Sequence, residues 1–305
     1  MHSPHSKTAL VFGLTVLFLT CLSLFFRWKE RFRNDRFQVT FFDVGQGDAA
    51  LLQFPGGKTM LVDAGGGFGE WDMGKRELFL ELTRLGILSL DVALLSHPDQ
   101  DHGYGFVGIL QNITMSEFWL NGSFLTDLRK KPLLSTLLGF SQLQGVKVRG
   151  FHKRQSMNWN GVGLTLLPVK EGMSTNNRAL VLFAEFGGCG VLFTGDIEAQ
   201  AEMGLYPPGR VSLLKVAHHG SRTSSTEGFL LRVLPRWAVI SVGLRNRYGH
   251  PSPDVLLRLR GHAIQTLRTD FHGYVRFVFS KDGLAECQTA LGPCGTSWCG
   301  GRATP

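Results

Sequence analysis

Apolar residues occur in this chain in two arrangements. One is an unbroken block near the amino terminus; the other is a long succession of short runs separated by glycine, proline and polar turns. Short runs bounded by turn formers read as strands, and a period of three to four residues marks the helices between them. The pattern predicts strands at 38–42, 49–54 and 59–63, the last two joined across Pro55-Gly56-Gly57. A helix is expected over 75–85, where Leu78, Leu82 and Leu85 share a face and Gly86 ends it. A strand at 90–95 follows, then helices at 103–111 and 124–140. The second half predicts strands at 162–167, 179–186 and 191–194, a helix at 197–204, a strand at 211–216 and a helix at 226–234. A strand at 237–242, a helix at 254–260 and strands at 264–268 and 274–279 close the unit. Strand-rich halves that each run into helices predict an α/β fold of two sheets packed face to face with helices outside.

The unbroken block spans residues 8–26 and contains no charged residue and no proline. As a helix it would measure about 28 Å, which matches a hydrocarbon core. Arg27, Lys29, Arg31, Arg33 and Arg36 follow, against Glu30 and Asp35, so the junction carries +3 of the formal +8. The expected organisation is a transmembrane anchor and basic linker (1–36), one large folded domain (37–285) and a flexible tail (286–305). A single-pass protein of the bacterial inner membrane is expected, and the basic flank places the soluble domain on the cytoplasmic side. The cysteines of the domain and tail are expected as free thiols, a Cys294–Cys299 bridge being the alternative in an oxidising space.

Candidate chemistry gathers at strand ends. His97-Pro98-Asp99-Gln100-Asp101-His102 puts four metal-ligating side chains into six residues directly after a buried strand. Asp196 follows the strand at 191–194, and His218-His219 follows the one at 211–216. Mixed imidazole and carboxylate suit zinc, manganese or iron(II), and the share of carboxylate tilts the set toward manganese. Six such ligands suffice for two divalent ions sharing Asp196, an arrangement that activates water and clamps a phosphodiester. The plainer reading is that polar loop residues cap turns, with Asp101 capping the next helix.

His97 to His102, Gly195-Asp196 and Val216-Ala217-His218-His219-Gly220-Ser221 together resemble the metallo-β-lactamase superfamily. Phe41-Phe42-Asp43-Val44-Gly45-Gln46-Gly47-Asp48, Leu61-Val62-Asp63-Ala64-Gly65 and Asn246-Arg247-Tyr248-Gly249-His250-Pro251 are similar to the hydrolase domain of the ComEC competence family. The resemblance covers residues 37 to 283. It implies an αββα sandwich, two metal ions (manganese or zinc), and hydrolysis of a phosphodiester, in that family a DNA strand during uptake. Carried over by position, His97 and Asp99 hold one ion, Asp101 and His102 the other, Asp196 bridges, and His218 or His219 completes the set. Asp101 and His250 are the candidate catalytic groups, with helix capping the alternative for His250. Asp43, Asp48 and Asp63 are expected to support the ligands, and Gln46, Asn177, Ser221 and Arg247 to meet substrate. Two departures stand out: residues 174–179 hold no histidine where many superfamily members supply one, and Ser252 replaces a second histidine after Pro251.

Lys147, Arg149, Lys153 and Arg154, with Arg129-Lys130-Lys131, Arg245 and Arg247, form basic clusters suited to a phosphate backbone. Lys215 reads as a strand-edge charge and His152 as a surface residue. The expected function is an anchored, metal-dependent phosphodiesterase acting on DNA, partnered by DNA, the membrane and a separate polytopic channel subunit. Hydrolysis of a cell-envelope or signalling ester and a weakly catalytic DNA-binding accessory are the competing readings.

Overall fold

The computed structural model describes residues 12–22, 35–68, 71–72, 74–126, 128–169 and 174–299. Strands β1 (Phe37–Phe41), β2 (Ala49–Gln53), β3 (Thr59–Ala64), the short pair β4 (Gly67–Phe68) and β5 (Trp71–Asp72), β6 (Ser89–Leu94), β7 (Thr114–Asn121) and β8 (Lys147–Phe151) form the first half. The second half has β9 (Gln155–Trp159), β10 (Val162–Pro168), β11 (Leu180–Phe186), β12 (Cys189–Phe193), β13 (Val211–Lys215), β14 (Trp237–Ile240) and β15 (Gln265–Arg268). It ends in β16 (Val275–Phe279), β17 (Leu284–Thr289) and β18 (Gly292–Trp298). Nine strands make one mixed sheet in the order β18-β17-β16-β1-β2-β3-β6-β7-β8, and seven make the other, β15-β14-β13-β12-β11-β10-β9.

Each sheet is antiparallel on one side and parallel on the other, where β3, β6, β7 and β8 run together in one and β12 to β15 in the other. Parallel neighbours need crossover connections, so their carboxyl ends open onto one edge and leave it free for loops. The period of two explains why the central runs look uniformly apolar. In β6, Val92 and Leu94 enter the core between the sheets, while Ala93 packs under the helices Gly105–Asn112 and Pro132–Leu143. A strand covered on both faces has no polar side to show. Phe41 on β1 meets Phe193 on β12 at 5.7 Å across the sandwich. A third apolar cluster holds the helices Glu227–Val233 and Pro253–Gly261 against the outer face of the smaller sheet.

Seven strands, β4, β5, β7, β8, β9, β17 and β18, escape the sequence pattern. Of these, β8 and β9 stand at sheet edges and carry half-exposed polar and basic residues. The helix expected at 124–140 begins only at Pro132, whose fixed φ suits a first helical position; short 3₁₀ turns precede it.

The carboxyl terminus corrects two expectations. Residues 284–298 are strands, and the thiols are paired: Cys189 with Cys299, and Cys287 with Cys294. Ala285 and Cys287 point inward while Glu286 and Gln288 alternate outward, and Trp237 Nε1 donates to Ser297 Oγ at 3.1 Å. The scarcity of apolar residues in this stretch hid a strand whose inner positions are small or cross-linked. Residues 12–22 are helical with exposed side chains; the rest of the expected anchor at 8–26 and the basic residues 27–34 lie outside the described residues. Among the described residues no helix is long and apolar enough to cross a membrane.

The two bridges close loops of very different length, 110 and 7 residues. In the chain-entropy account the longer restricts the unfolded chain by about 4–5 kcal/mol and the shorter by about half that. Replacing Cys189 and Cys299 by alanine should therefore lower the urea midpoint about twice as far as replacing Cys287 and Cys294.

Candidate metal centre

The loop after β6 carries the first ligands. Leu95 continues the strand, and Ser96 and His97 turn inward, both buried. A short helix, Gln100–Gly103, then begins with Asp99 at its N-cap, and Asp99 makes no side-chain capping bond. Asp101 lies inside that helix and does not cap it. The turn between β1 and β2 passes directly beneath: Asp48 N donates to Asp101 O at 3.1 Å. A Cβ at Gly47 would stand 2.4 Å from Asp101 O, so only glycine allows this approach.

Asp101, His102, Asp196 and His219 offer ligand atoms that all lie within 4.8 Å of one another. His219 Nε2 is 3.2 Å from Asp101 Oδ2 and 3.5 Å from Asp196 Oδ2, and His102 Nε2 is 3.2 Å from Asp196 Oδ1. His97 stands beside them, its ring 4.2 Å from that of His102 and its Nε2 3.7 Å from Asp99 Oδ2. The far nitrogens are all engaged. His102 Nδ1 donates to Asp63 Oδ2 (2.9 Å), His219 Nδ1 to Ser241 O (2.9 Å), and His97 Nδ1 meets Ser96 Oγ (3.0 Å). Asp63 also accepts from Ser96 N and Oγ, at 2.8 and 2.7 Å. Its φ of 55° aims the carboxylate under the loop.

Such engagement fixes each ring and leaves its Nε2 facing the centre, as metal-binding imidazoles require. His97 Nε2, His102 Nε2 and Asp196 Oδ1 are buried without a hydrogen-bond partner. Orphaned polar atoms are costly unless something satisfies them, and a divalent cation is the partner this donor set fits.

The His218-His219 pair resolves through its backbone. Both residues have φ of 52°, a left-handed conformation that breaks strand alternation and splays the rings 6.3 Å apart. His219 enters the buried cluster. His218 stays at the mouth, Nε2 3.8 Å from Asp196 Oδ2 and Nδ1 3.6 Å from Glu198 Oε1.

Lys215 is corrected. It is not a strand-edge charge: β13 lies between β12 and β14, and the side chain is 3% exposed. Its ammonium is ion-paired with Asp48, lies 3.8 Å from Asp196 Oδ1 and donates to Gly195 O at 3.4 Å. The two aspartates of the first turn thus divide. Asp48 is buried in the centre, also 3.4 Å from His219 Nδ1, whereas exposed Asp43 accepts from Gly45 N and shapes the turn.

Three residues expected to meet substrate are held by the protein. Gln46 Oε1 accepts from Gly243 N at 3.3 Å, tying two loops together. Asn177 accepts from Glu198 N (2.8 Å) and donates to Glu198 Oε2 (3.3 Å), and buried Ser221 shares a hydrogen bond with Thr223 at 3.0 Å. His250 does reach the mouth, its ring 5.7 Å from that of His218, whereas exposed Arg247 lies against Tyr248. His250 is not a helix cap, because Ser252 accepts from Asp254 N and caps Pro253–Gly261 itself. Glu198 was not singled out by the sequence, and Lys131 appeared there only as part of a basic cluster. Lys131 Nζ is 4.0 Å from Asp99 Oδ1 and donates to Thr175 Oγ1 at 2.6 Å. Of the basic stretch on β8, Lys147 pairs with Glu117 and Arg149 lies over Trp119 and Phe151; His152, Lys153 and Arg154 are exposed.

Charge is concentrated here. Burial opposes protonation of His219, yet Asp196 and Asp48 outweigh it and push the imidazole up to about 10. His102 is likewise lifted well above its usual range, against burial, by Asp196, Asp63 and Asp48. Burial, then the charge of His102, drives His97 down to about 3, leaving it neutral. A cation entering this centre must displace the protons of His102 and His219. Because both folded values are raised, those protons are bound at neutral pH; that of His219 leaves only as pH climbs toward about 10, and that of His102 well above the usual imidazole range. Manganese affinity should therefore rise with pH from 6 to 9, and titration calorimetry in buffers of different ionisation enthalpy should show proton release. Asp63→Ala removes the acceptor behind His102, and manganese affinity should drop ~10–100-fold by the same calorimetry.

Residues 42–121 match the model of the metallo-beta-lactamase superfamily. The chain is 30% identical over 261 residues to ComE operon protein 3 of Bacillus subtilis (strain 168), covering 80% of this chain and 33% of that protein. It is 32% identical over 283 residues to Recombination protein 2 of Haemophilus influenzae, covering 92% and 33%. The chain thus spans about a third of the length of the curated relatives it matches. Among solved structures, the metallo-beta-lactamase fold protein YhfI from Bacillus subtilis superposes with a TM-score of 0.51 at 12% identity, covering 76% of this chain and 95% of that one. The chain belongs to the metallo-β-lactamase superfamily, as a domain homologous to the carboxyl-terminal third of the ComEC-type competence proteins.

Proposed function

We propose that the protein is a metal-dependent phosphodiesterase that cuts DNA, and the observation that carries the reading is the buried Asp101, His102, Asp196 and His219 cluster with its unsatisfied ligand atoms. His97, Asp99 and Asp196 would hold one divalent ion and Asp101, His102, Asp196 and His219 the second. Bound there, two such ions supply Lewis-acid charge and activate water near neutral pH. The protein's own part is electrostatic and positional: Asp63, Ser96 and Ser241 fix the imidazoles, and Lys215 balances the inner carboxylates. Lys131, beside Asp99, is placed to meet a phosphate oxygen. DNA as substrate is supported by relatives whose names include "Competence protein ComA" of Neisseria gonorrhoeae, 30% identical over 258 residues.

The apolar block at 8–26 supports membrane anchorage in this reading, with a polytopic subunit as the partner that conducts the strand. The two disulfides favour an oxidising compartment for the domain, opposite to the side expected from the basic flank.

Incubation of the full chain with fluorescent single- and double-stranded DNA and manganese should give cleavage that chelation abolishes. Asp196→Ala should lower the rate at least ~100-fold, and cleavage that survives this change would defeat the assignment.

A further inference from the structure

The loop between β14 and the helix Pro253–Gly261 is built more rigidly than an exposed connection requires. Asn246 spends its whole side chain on it: Nδ2 donates to Gly243 O (3.0 Å) and His250 O (2.6 Å), and Oδ1 accepts from Tyr248 N and His250 N, both at 3.1 Å. Gly243 is tied in turn to Gln46 of the first turn. What this brace holds outward is an aromatic ring. Tyr248 is 53% exposed, stacked on His250 with 5.9 Å between centroids and 17° between planes. The Arg247 guanidinium lies 5.0 Å from the Tyr248 centroid and donates to its hydroxyl at 2.9 Å. Inward, the His250 ring is 5.7 Å from that of His218, whose Nε2 is 3.8 Å from Asp196 Oδ2. Planar groups therefore lead in a file from the metal centre to solvent: His218, His250, Tyr248, Arg247.

An exposed ring held rigid gains nothing for folding, because its apolar surface stays in water. It gains for binding, because the ordering cost is met before the ligand arrives. Aromatic faces with a guanidinium beside them are what unpaired nucleobases stack on, and a base inside a duplex cannot present its face. Building on the phosphodiesterase reading above, we infer that Tyr248, with Arg247 and His250, is the stacking platform for one unpaired nucleobase flanking the scissile phosphate. Tyr248 is then a positioning residue that gives the site a preference for single strands. The metal cluster has no means of reading strandedness by itself, since a phosphate looks alike in both.

The test compares oligothymidylate with a strand of the same length carrying abasic sites, using the full chain, Tyr248→Ala and Tyr248→Trp. Affinity is read by fluorescence anisotropy without added metal, and KM and kcat by cleavage with manganese. Tyr248→Ala should weaken binding and raise KM for oligothymidylate about tenfold, leave kcat within twofold, and leave the abasic strand unchanged. Tyr248→Trp should restore the preference for bases. Equal affinity of the unaltered protein for the two strands, or equal losses on both in Tyr248→Ala, would overturn the platform. If the unaltered protein cuts neither strand, the phosphodiesterase reading falls on its own, and anisotropy still decides whether a base is stacked. Tyr248 contributes little buried area, so the melting temperature should not move; if it drops by more than a few degrees, Tyr248→Trp alone carries the comparison.

Discussion

The buried carboxylate of Asp63 is the constraint on which the centre rests. It accepts from Ser96 N, Ser96 Oγ and His102 Nδ1 at once, so the strand end, the turn after it and the first turn of the following helix share one anchor. Burial raises its pKa, and the neighbouring His102 opposes that rise. Without the carboxylate, Ser96 N would be an orphan in the core and His102 would be free to rotate its Nε2 away from Asp196. A left-handed backbone at a non-glycine residue is tolerated because so many partners fix the result. Topology does the rest: β3, β6, β12, β13 and β14 deliver their carboxyl ends to one edge, and residues from five parts of the chain meet there without any long-range loop.

Much of this was legible in the sequence because it is written as local composition. The ligand-dense stretch from His97 to His102 follows a run that could only be a buried strand, and Asp196 and the histidine pair repeat that placement. Glycine at 45 and 47 marked a turn, which the structure shows passing under Asp101. Most helices and central strands fall within a few residues of the expected positions, since both their periods are set by burial.

The remainder depends on information that no window contains. Nothing in Leu213-Leu214-Lys215-Val216 says whether the lysine ends an edge strand or a central one; the neighbours β12 and β14 decide it, and they are fixed by register. The two histidines could not be told apart by alternation because both sit in left-handed conformations where alternation fails. Cys189 lies 110 residues from Cys299, and a pairing across two sheets leaves no local trace. The basic stretch on β8 looked like one cluster, yet exposed Lys147 pairs with Glu117 and Arg149 lies over two rings, while the carboxyl-terminal residues Lys153 and Arg154 are exposed beyond the strand.

The absent histidine in residues 174–179 has a structural consequence. Asn177 occupies that stretch and spends its amide on Glu198, and the acid thus held approaches His218 at the mouth. In the proposed assignment one ion then has four donors, from Asp101, His102, Asp196 and His219. The other has only His97 and Asp99 beside the shared Asp196. An ion with fewer protein donors keeps positions open for oxygen ligands, and Lys131 stands 4.0 Å from Asp99 on that same side. The asymmetry assigns the two sides different tasks. The closed side, backed by Ser241 and braced by Lys215 and Asp48, is a fixed charge. In that reading the open side is where a phosphate could displace water, with the Lys131 ammonium held beside it by Thr175 and Asp99.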